Sequence, residues 1–242
     1  ETQNSLVQAG KLAALGQMSA AIAHEINQPL AAIRTFISST KIYLARGDSS
    51  HASSNLDLIN GLAERMANIT SHLKTFARSG EKRGTEIIDI DAAIRGSMLL
   101  IRGQIELAGV SFTSDTIEHV FVRGHSAQLE QVIVNLLQNA IQALENVGTP
   151  TIRLKVEATH DQVRITIVDN GSGIPDEHRD RIFDPFFTTK AIGKGLGLGL
   201  SISYGIVRDL GGQIHVSNLP AGGTEIVVEL PRHHPESSFE HA

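Results

Sequence analysis

The period of the hydrophobic positions changes near residue 80. Leu15, Met18, Ile22, Ile26, Ile33 and Ile37 fall within about a third of a helical wheel at roughly 100° per residue. Leu58, Leu62, Met66, Ile69 and Leu73 repeat the pattern, and the polar string Gly47-Asp48-Ser49-Ser50 separates the two runs. This predicts two long amphipathic helices joined by a short turn, with Ser53 or Ser54 capping the second. One hairpin cannot cover both apolar stripes, so a second copy should complete a four-helix bundle, and a homodimer is expected.

Ser79-Gly80-Glu81-Lys82-Arg83-Gly84 is polar, carries two glycines and suits a linker. Beyond it the period alternates. Helical patterns cover Asp91–Leu107, Ala127–Leu144 and Leu198–Leu210, and strand patterns cover Glu86–Ile90, Val110–Thr113, Thr151–Val156, Val163–Val168, Gln213–Val216 and Glu225–Leu230. The last four runs are spaced as two hairpins. The fold class is therefore α+β, a helical hairpin at 1–80 followed, after a linker at 81–84, by an α/β sandwich with a mixed sheet at 85–232. A polar tail occupies 233–242.

Composition narrows the function. The 242 residues include no Cys, which removes disulfide scaffolds, thiolate metal sites and cysteine nucleophiles. No apolar run reaches the roughly 18–20 residues of a membrane span, and no signal peptide is apparent, so a cytoplasmic location is expected. The net charge of −5 argues against direct nucleic-acid binding. That charge is divided: residues 1–80 hold 7 basic and 5 acidic side chains, leaving 14 and 21 for the remainder.

Several residues could do chemistry. His24 lies about 200° from Ile22 on the wheel, opposite the apolar stripe, and so faces solvent. Glu25 is its neighbour and Gln28 stands one turn on. An exposed imidazole beside a carboxylate can lose its proton and attack an electrophile, although an idle surface histidine has the same pattern. Pro29 should weaken or kink the helix there. Because position 28 is Gln, the His-Glu-x-x-His zinc signature is incomplete.

Asn135, Asn139 and Gln142 share one face of a half-apolar helix. An amide oxygen can ligate Mg²⁺, and a capping or core network is the plain alternative. Asp169-Asn-Gly171-Ser-Gly173 closes the strongest strand pattern, either as a ligand loop or as an ordinary turn. Phe183, Phe186 and Phe187 cluster around Pro185. Lys190 and Lys194 then lead into the alternating Gly195, Gly197 and Gly199. Glycines at a helix start expose N–H groups suited to phosphate, and the whole stretch would make a lid over a nucleotide.

In this order and spacing, His24-Glu25 with Pro29, Asn135/Asn139, Asp169-x-Gly171-x-Gly173, the Phe183 cluster and Gly195-x-Gly197-x-Gly199 resemble the sensor histidine kinase core. The strings Gln8-Ala-Gly-Lys-Leu-Ala and Ala23-His-Glu-Ile-Asn-Gln-Pro-Leu-Ala-Ala-Ile-Arg34 look most like the DctB-type C4-dicarboxylate sensors. The resemblance implies autophosphorylation of His24 by ATP, with Glu25 assisting proton removal. It further implies that Asn139 ligates Mg²⁺ with support from Asn135, that Asp169 reads the adenine amine in a pocket shaped by Gly171 and Gly173, and that Thr224 lies near adenine. Lys190, Lys194 and 195–199 would contact phosphates.

The implied partner is the receiver domain of a response regulator, of the sigma-54-dependent activator type, and the implied setting is the cytoplasmic part of an inner-membrane sensor whose membrane segments lie outside this chain. Two departures stand out. Gln142 occupies a position where many members have Lys or Arg. Gln28 is longer than the Thr or Asn common in members that also dephosphorylate their partner. Two other functions compete: an ATPase of the superfamily shared with type II topoisomerases and mismatch-repair proteins, and a non-catalytic dimerisation and nucleotide-sensing module. The ATPases use a Glu where Asn135 stands, and an amide is no general base near neutral pH.

Overall fold

The computed structural model describes residues 19–78, 85–189 and 197–235. They form two compact units, one helical and one α/β.

In the helical unit, α1 (Ser19–Ala45) and α2 (Ser49–Arg78) pack side by side along their length. Gly47, at φ 75°, supplies the left-handed residue that reverses the chain. The cap of α2 is Asp48. Its Oδ1 accepts from His51 N–H at 3.1 Å and its Oδ2 lies 2.8 Å from His51 Nδ1, the side-chain geometry of a helix start. Ser53 and Ser54 do not cap, because they lie one turn inside the helix, where the Ser54 hydroxyl donates to the Ser50 carbonyl at 3.2 Å. α1 runs unbroken through Pro29. The expected weak point is not a break, because proline removes only one bond from a 27-residue helix. Ile37, Ile42, Leu44, Leu56 and Leu58 remain exposed in the single chain.

The α/β unit comprises β1 (Glu86–Asp89), α3 (Ile90–Leu107), β2 (Ser111–Asp115), β3 (Phe121–Gly124), α4 (Ser126–Ala143), β4 (Thr151–Ala158), β5 (Gln162–Asp169), a 3₁₀ turn at Asp176–Arg181, α5 (Gly199–Asp209), β6 (Gln213–Asn218) and β7 (Thr224–Pro231). β1 and β3 form an antiparallel pair. The other five strands make one mixed sheet in the order β2-β4-β5-β7-β6, with only β2–β4 parallel. Both expected hairpins, β4–β5 and β6–β7, are present. β3 and the 3₁₀ turn were not foreseen.

Strict alternation decides the layering. Ile152, Leu154, Val156, Val163, Ile165, Ile167, Ile226, Val228 and Leu230 are buried on one sheet face. Leu129, Ile133, Leu136 and Leu137 of α4 and Ile202 and Ile206 of α5 complete the core. The opposite face is polar, with Arg164 bonded to Glu229 at 2.7 Å and Lys155 to Glu157 at 2.7 Å. α3 starts at a capped Asp89, whose side chain accepts from Asp91 N–H at 3.0 Å. No helix among the described residues is long and apolar enough to cross a membrane.

Candidate functional site

His24 is exposed on α1, as its wheel position requires. One turn on, the side-chain nitrogen of Gln28 lies 3.1 Å from His24 Nε2. An amide nitrogen only donates, so Nε2 accepts and the neutral ring carries its proton on Nδ1. The side chain of Glu25 lies outside the described residues.

A second constellation gathers at one end of the α/β unit. Asp169 is the last residue of β5 and is buried. Its Oδ1 accepts from Gly171 N–H at 2.8 Å and from Thr224 N–H at 3.3 Å. Thr224, also buried, stands directly opposite Asp169 across the β5–β7 ladder. Burial pushes the Asp169 carboxyl above the ordinary aspartate range, against the pull of the Gly171 and Thr224 donors. The Thr224 side chain also hydrogen-bonds the carboxylate, and the four lone-pair sites of its two oxygens still leave acceptor capacity for a ligand.

Glycine is required around this carboxylate. A Cβ on Gly171 would stand 2.6 Å from the Ala143 carbonyl, and one on Gly223 would stand 2.0 Å from the Asp169 carbonyl. Gly173 has φ 72°. The loop after Asp169 therefore lies on the C-terminal end of α4, where Ser172 N–H donates to the Ala143 carbonyl at 3.4 Å.

The same helix carries the amides. Asn135 is buried and its Nδ2 donates to the carbonyl of Gly199, the first residue of α5, at 3.4 Å. Asn139 is half-buried one turn on, with Nδ2 4.0 Å from the Cβ position of Gly199. Eight residues of helix separate Asn135 from Ala143, about 12 Å. So α4 carries the Asn135/Asn139 pair at one point and the Asp169 loop at another, a span suited to an elongated ligand. Gln142 is exposed on the same helix.

Phe183 and Phe187 have different ring partners. Phe183 packs on Tyr204 at 5.3 Å between ring centroids, whereas Phe187 meets His178 at 5.3 Å and lies under the Arg181 guanidinium at 4.7 Å. Pro185 lies between them, and Phe186 takes a left-handed conformation at φ 68°, so neighbours in sequence face different partners. Gly197 has φ 64°, and Gly199 opens α5 as the glycine alternation anticipates. Lys190, Lys194 and Gly195 lie outside the described residues.

Two site residues escaped the sequence reading. Asn170 ties the loop to β4, accepting from Thr151 N–H at 2.8 Å and donating to the Thr149 carbonyl at 2.8 Å. Asn218 binds both backbone groups of Ile174. Asn170 stands inside the Asp-x-Gly motif and invited scrutiny, but nothing local marks Asn218.

The resemblance of the sequence implies Mg²⁺ at Asn139. The described residues hold no group of three or more His, Asp or Glu that could chelate a metal ion. The donor set still fits Mg²⁺, which binds through one or two protein oxygens and completes its shell with phosphate and water. The Asn139 amide oxygen is the candidate.

The geometry agrees with what comparison finds. Residues 14–82 match the model described as His Kinase A (phospho-acceptor) domain, and residues 124–234 match that of the histidine kinase-, DNA gyrase B- and HSP90-like ATPases. The chain is 39% identical over 231 residues to the C4-dicarboxylate transport sensor protein DctB of Pseudomonas aeruginosa, covering 94% of this chain and 37% of that protein. It thus spans little more than a third of that relative's length. The catalytic domain of histidine kinase ThkA superposes with a TM-score of 0.55 at 32% identity, over 62% of this chain and 98% of that one. ThkA in complex with response regulator protein TrrA superposes with a TM-score of 0.71 at 28% identity, over 96% of this chain and 66% of that one. With a phospho-acceptor hairpin and an ATPase-type domain following one another in this order, the chain belongs to the sensor histidine kinase family.

Proposed function

We propose that this chain is the catalytic core of a protein-histidine kinase that phosphorylates itself on His24 and passes the phosphoryl group to an aspartate of a response-regulator receiver. Residues 1–80 serve as the dimerisation and phosphotransfer hairpin, 81–84 as linker, 85–232 as the ATP-binding domain and 233–242 as a tail. The observation that carries the reading is the arrangement along α4: a buried carboxylate held by Gly171 and Thr224 at one point, and the paired amides against the start of α5 at the other. A nucleotide has matching ends, a base with an exocyclic amine and a charged triphosphate.

Asp169 accepts from the adenine amine, with Gly171, Gly173 and Thr224 around it. Asn139 orients the phosphate end with support from Asn135 and Gln142, and Lys190, Lys194, Gly195, Gly197 and Gly199 present cationic and N–H donors to the phosphates. When bound, Mg²⁺ at Asn139 supplies compensation for the phosphate charge. The Nε2 lone pair of His24 attacks the γ-phosphorus, the bond to the ADP oxygen breaks, and the Nδ1 proton passes to Glu25. Gln28 holds the resting ring in the Nδ1–H tautomer and releases Nε2 before the attack.

The competing ATPase reading needs a general base at position 135. Asn135 is an amide and already donates to Gly199, so transfer is favoured over hydrolysis. The ThkA–TrrA likeness supports a receiver partner, and the DctB likeness supports C4-dicarboxylate signalling; a sigma-54-dependent activator as that partner is what the resemblance of the sequence implies. On this reading the chain is the cytoplasmic portion of an inner-membrane sensor and works as a homodimer. Calorimetry of ATP binding with and without Mg²⁺ tests the site. Asn139→Asp should weaken ATP–Mg binding and leave dimerisation intact, and an unchanged affinity overturns the assignment.

A further inference from the structure

The end of the loop that follows Asp169 is held by a side chain acting in place of a strand. Oδ1 of Asn218 accepts from Ile174 N–H at 2.8 Å and Nδ2 of the same amide donates to the Ile174 carbonyl at 2.6 Å. Paired residues of an antiparallel ladder exchange the same two bonds. Here Asn218 makes them across 44 positions of sequence.

The placement of Asn218 gives the contact its meaning. Its backbone stands opposite Thr224 in the β6–β7 ladder, and Thr224 stands opposite Asp169 in the β5–β7 ladder. The three residues therefore form one row across three adjacent strands. From Asp169 the chain leaves through Gly171, whose N–H returns to the carboxylate, and reaches Ile174, where Asn218 ties it back to the row. The loop is pressed close at this tie, since a Cβ on Gly173 would stand 3.2 Å from Asn218 Oδ1. The result is a closed ring of covalent and hydrogen bonds around the Asp169 carboxylate.

We propose that Asn218 is a positioning residue for the nucleotide base. By fixing Ile174 it sets the spacing between the loop and the Asp169 carboxylate, and with it the fit of a 6-aminopurine. Few side chains can replace it. Aspartate keeps the acceptor for Ile174 N–H but turns a second oxygen toward the Ile174 carbonyl, serine supplies one bond at most, and glutamine is one methylene too long. The proposal rests on the ATP reading given above.

The test is nucleotide binding and steady-state autophosphorylation by the 242-residue chain, comparing wild type with Asn218→Ala, Asn218→Asp and Asn218→Ser. Asn218→Ala should weaken ATP and ADP alike by roughly three- to thirtyfold, the loss of one or two neutral hydrogen bonds. The KM for ATP should rise while the rate at saturating ATP stays within about twofold, and the preference for ATP over GTP should shrink. Asn218→Asp should be at least as impaired as Asn218→Ala, and Asn218→Ser intermediate. A wild-type chain that binds no ATP overturns the ATP reading and this inference with it. Wild-type binding with undiminished ATP affinity in Asn218→Ala and Asn218→Asp overturns this inference alone. So does a fall in melting temperature and maximal rate at unchanged KM and unchanged ATP-over-GTP preference, which marks a purely structural residue.

Discussion

The amide nitrogen of Gln28 lies 3.1 Å from Nε2 of His24, the nitrogen that attacks phosphorus in the proposed transfer. The contact selects the tautomer with the proton on Nδ1, yet it occupies the lone pair, so it stabilises the resting ring and must open before transfer. Both residues are exposed, which places the bond at the weak end of the range, about 0.5 kcal/mol. Gln28→Leu should therefore raise the initial rate of autophosphorylation about twofold at saturating ATP without changing the KM for ATP. Imidazole ¹⁵N shifts should show the His24 tautomer mixture moving toward Nε2–H. A fall in rate would give Gln28 an assisting role instead.

Asp169 ionises reluctantly because it is buried. Its folded-state pKa exceeds the unfolded value, so the stability linked to its protonated form is full below the unfolded pKa and is lost as pH rises through the folded one. Asp169→Asn cannot ionise, retains an oxygen for the Gly171 and Thr224 donors, and escapes that loss. Denaturant titrations should find the variant more stable than wild type at neutral pH, with the difference shrinking on acidification. Its ATP affinity should fall, because an amide is the poorer acceptor for the adenine amine. A difference that grows on acidification would contradict the assigned direction.

Gly222 and Gly223 separate two costs. Both have positive φ, 92° and 103°, but a Cβ on Gly222 meets nothing within 4 Å, whereas one on Gly223 stands 2.0 Å from the Asp169 carbonyl. Gly222→Ala should cost about 1–2 kcal/mol of backbone strain. Gly223→Ala should cost more, about 3–4 kcal/mol, and should also reduce ATP affinity by displacing Asp169. Urea denaturation of both variants gives the comparison directly, and equal costs would argue against the tight approach at Gly223.

Much of this architecture was legible from local pattern. The alternation in β4, β5 and β7 and the three-and-four spacing in α4 record one-sided burial, so those elements fall within a residue or two of expectation. Glycine was a reliable sign where a second backbone approaches, as at Gly171. What escaped depends on distant partners. β3 is four residues long and is defined by pairing with β1, too short for periodicity to mark. The start of α2 was misplaced because Ser49, Ser50, Ser53 and Ser54 offer equivalent caps, and only the Asp48–His51 bonds distinguish the true one. Asn218 is one polar residue at a strand end until the fold brings Ile174 to it. Nor does proximity in sequence tell that Phe183 meets Tyr204 and Phe187 meets His178, contacts set by elements outside the Phe183–Phe187 run.

The central claim is that His24 accepts the γ-phosphoryl group of ATP bound beside Asp169 and Asn139. Incubating the chain with γ-labelled ATP and Mg²⁺, in parallel with His24→Gln, tests it most directly. Wild type should acquire a label stable to alkali and lost in acid, as a phosphoramidate is, while His24→Gln binds ATP with unchanged affinity and stays unlabelled. Undiminished labelling of His24→Gln, or a wild-type chain that binds ATP and only hydrolyses it, would contradict the account.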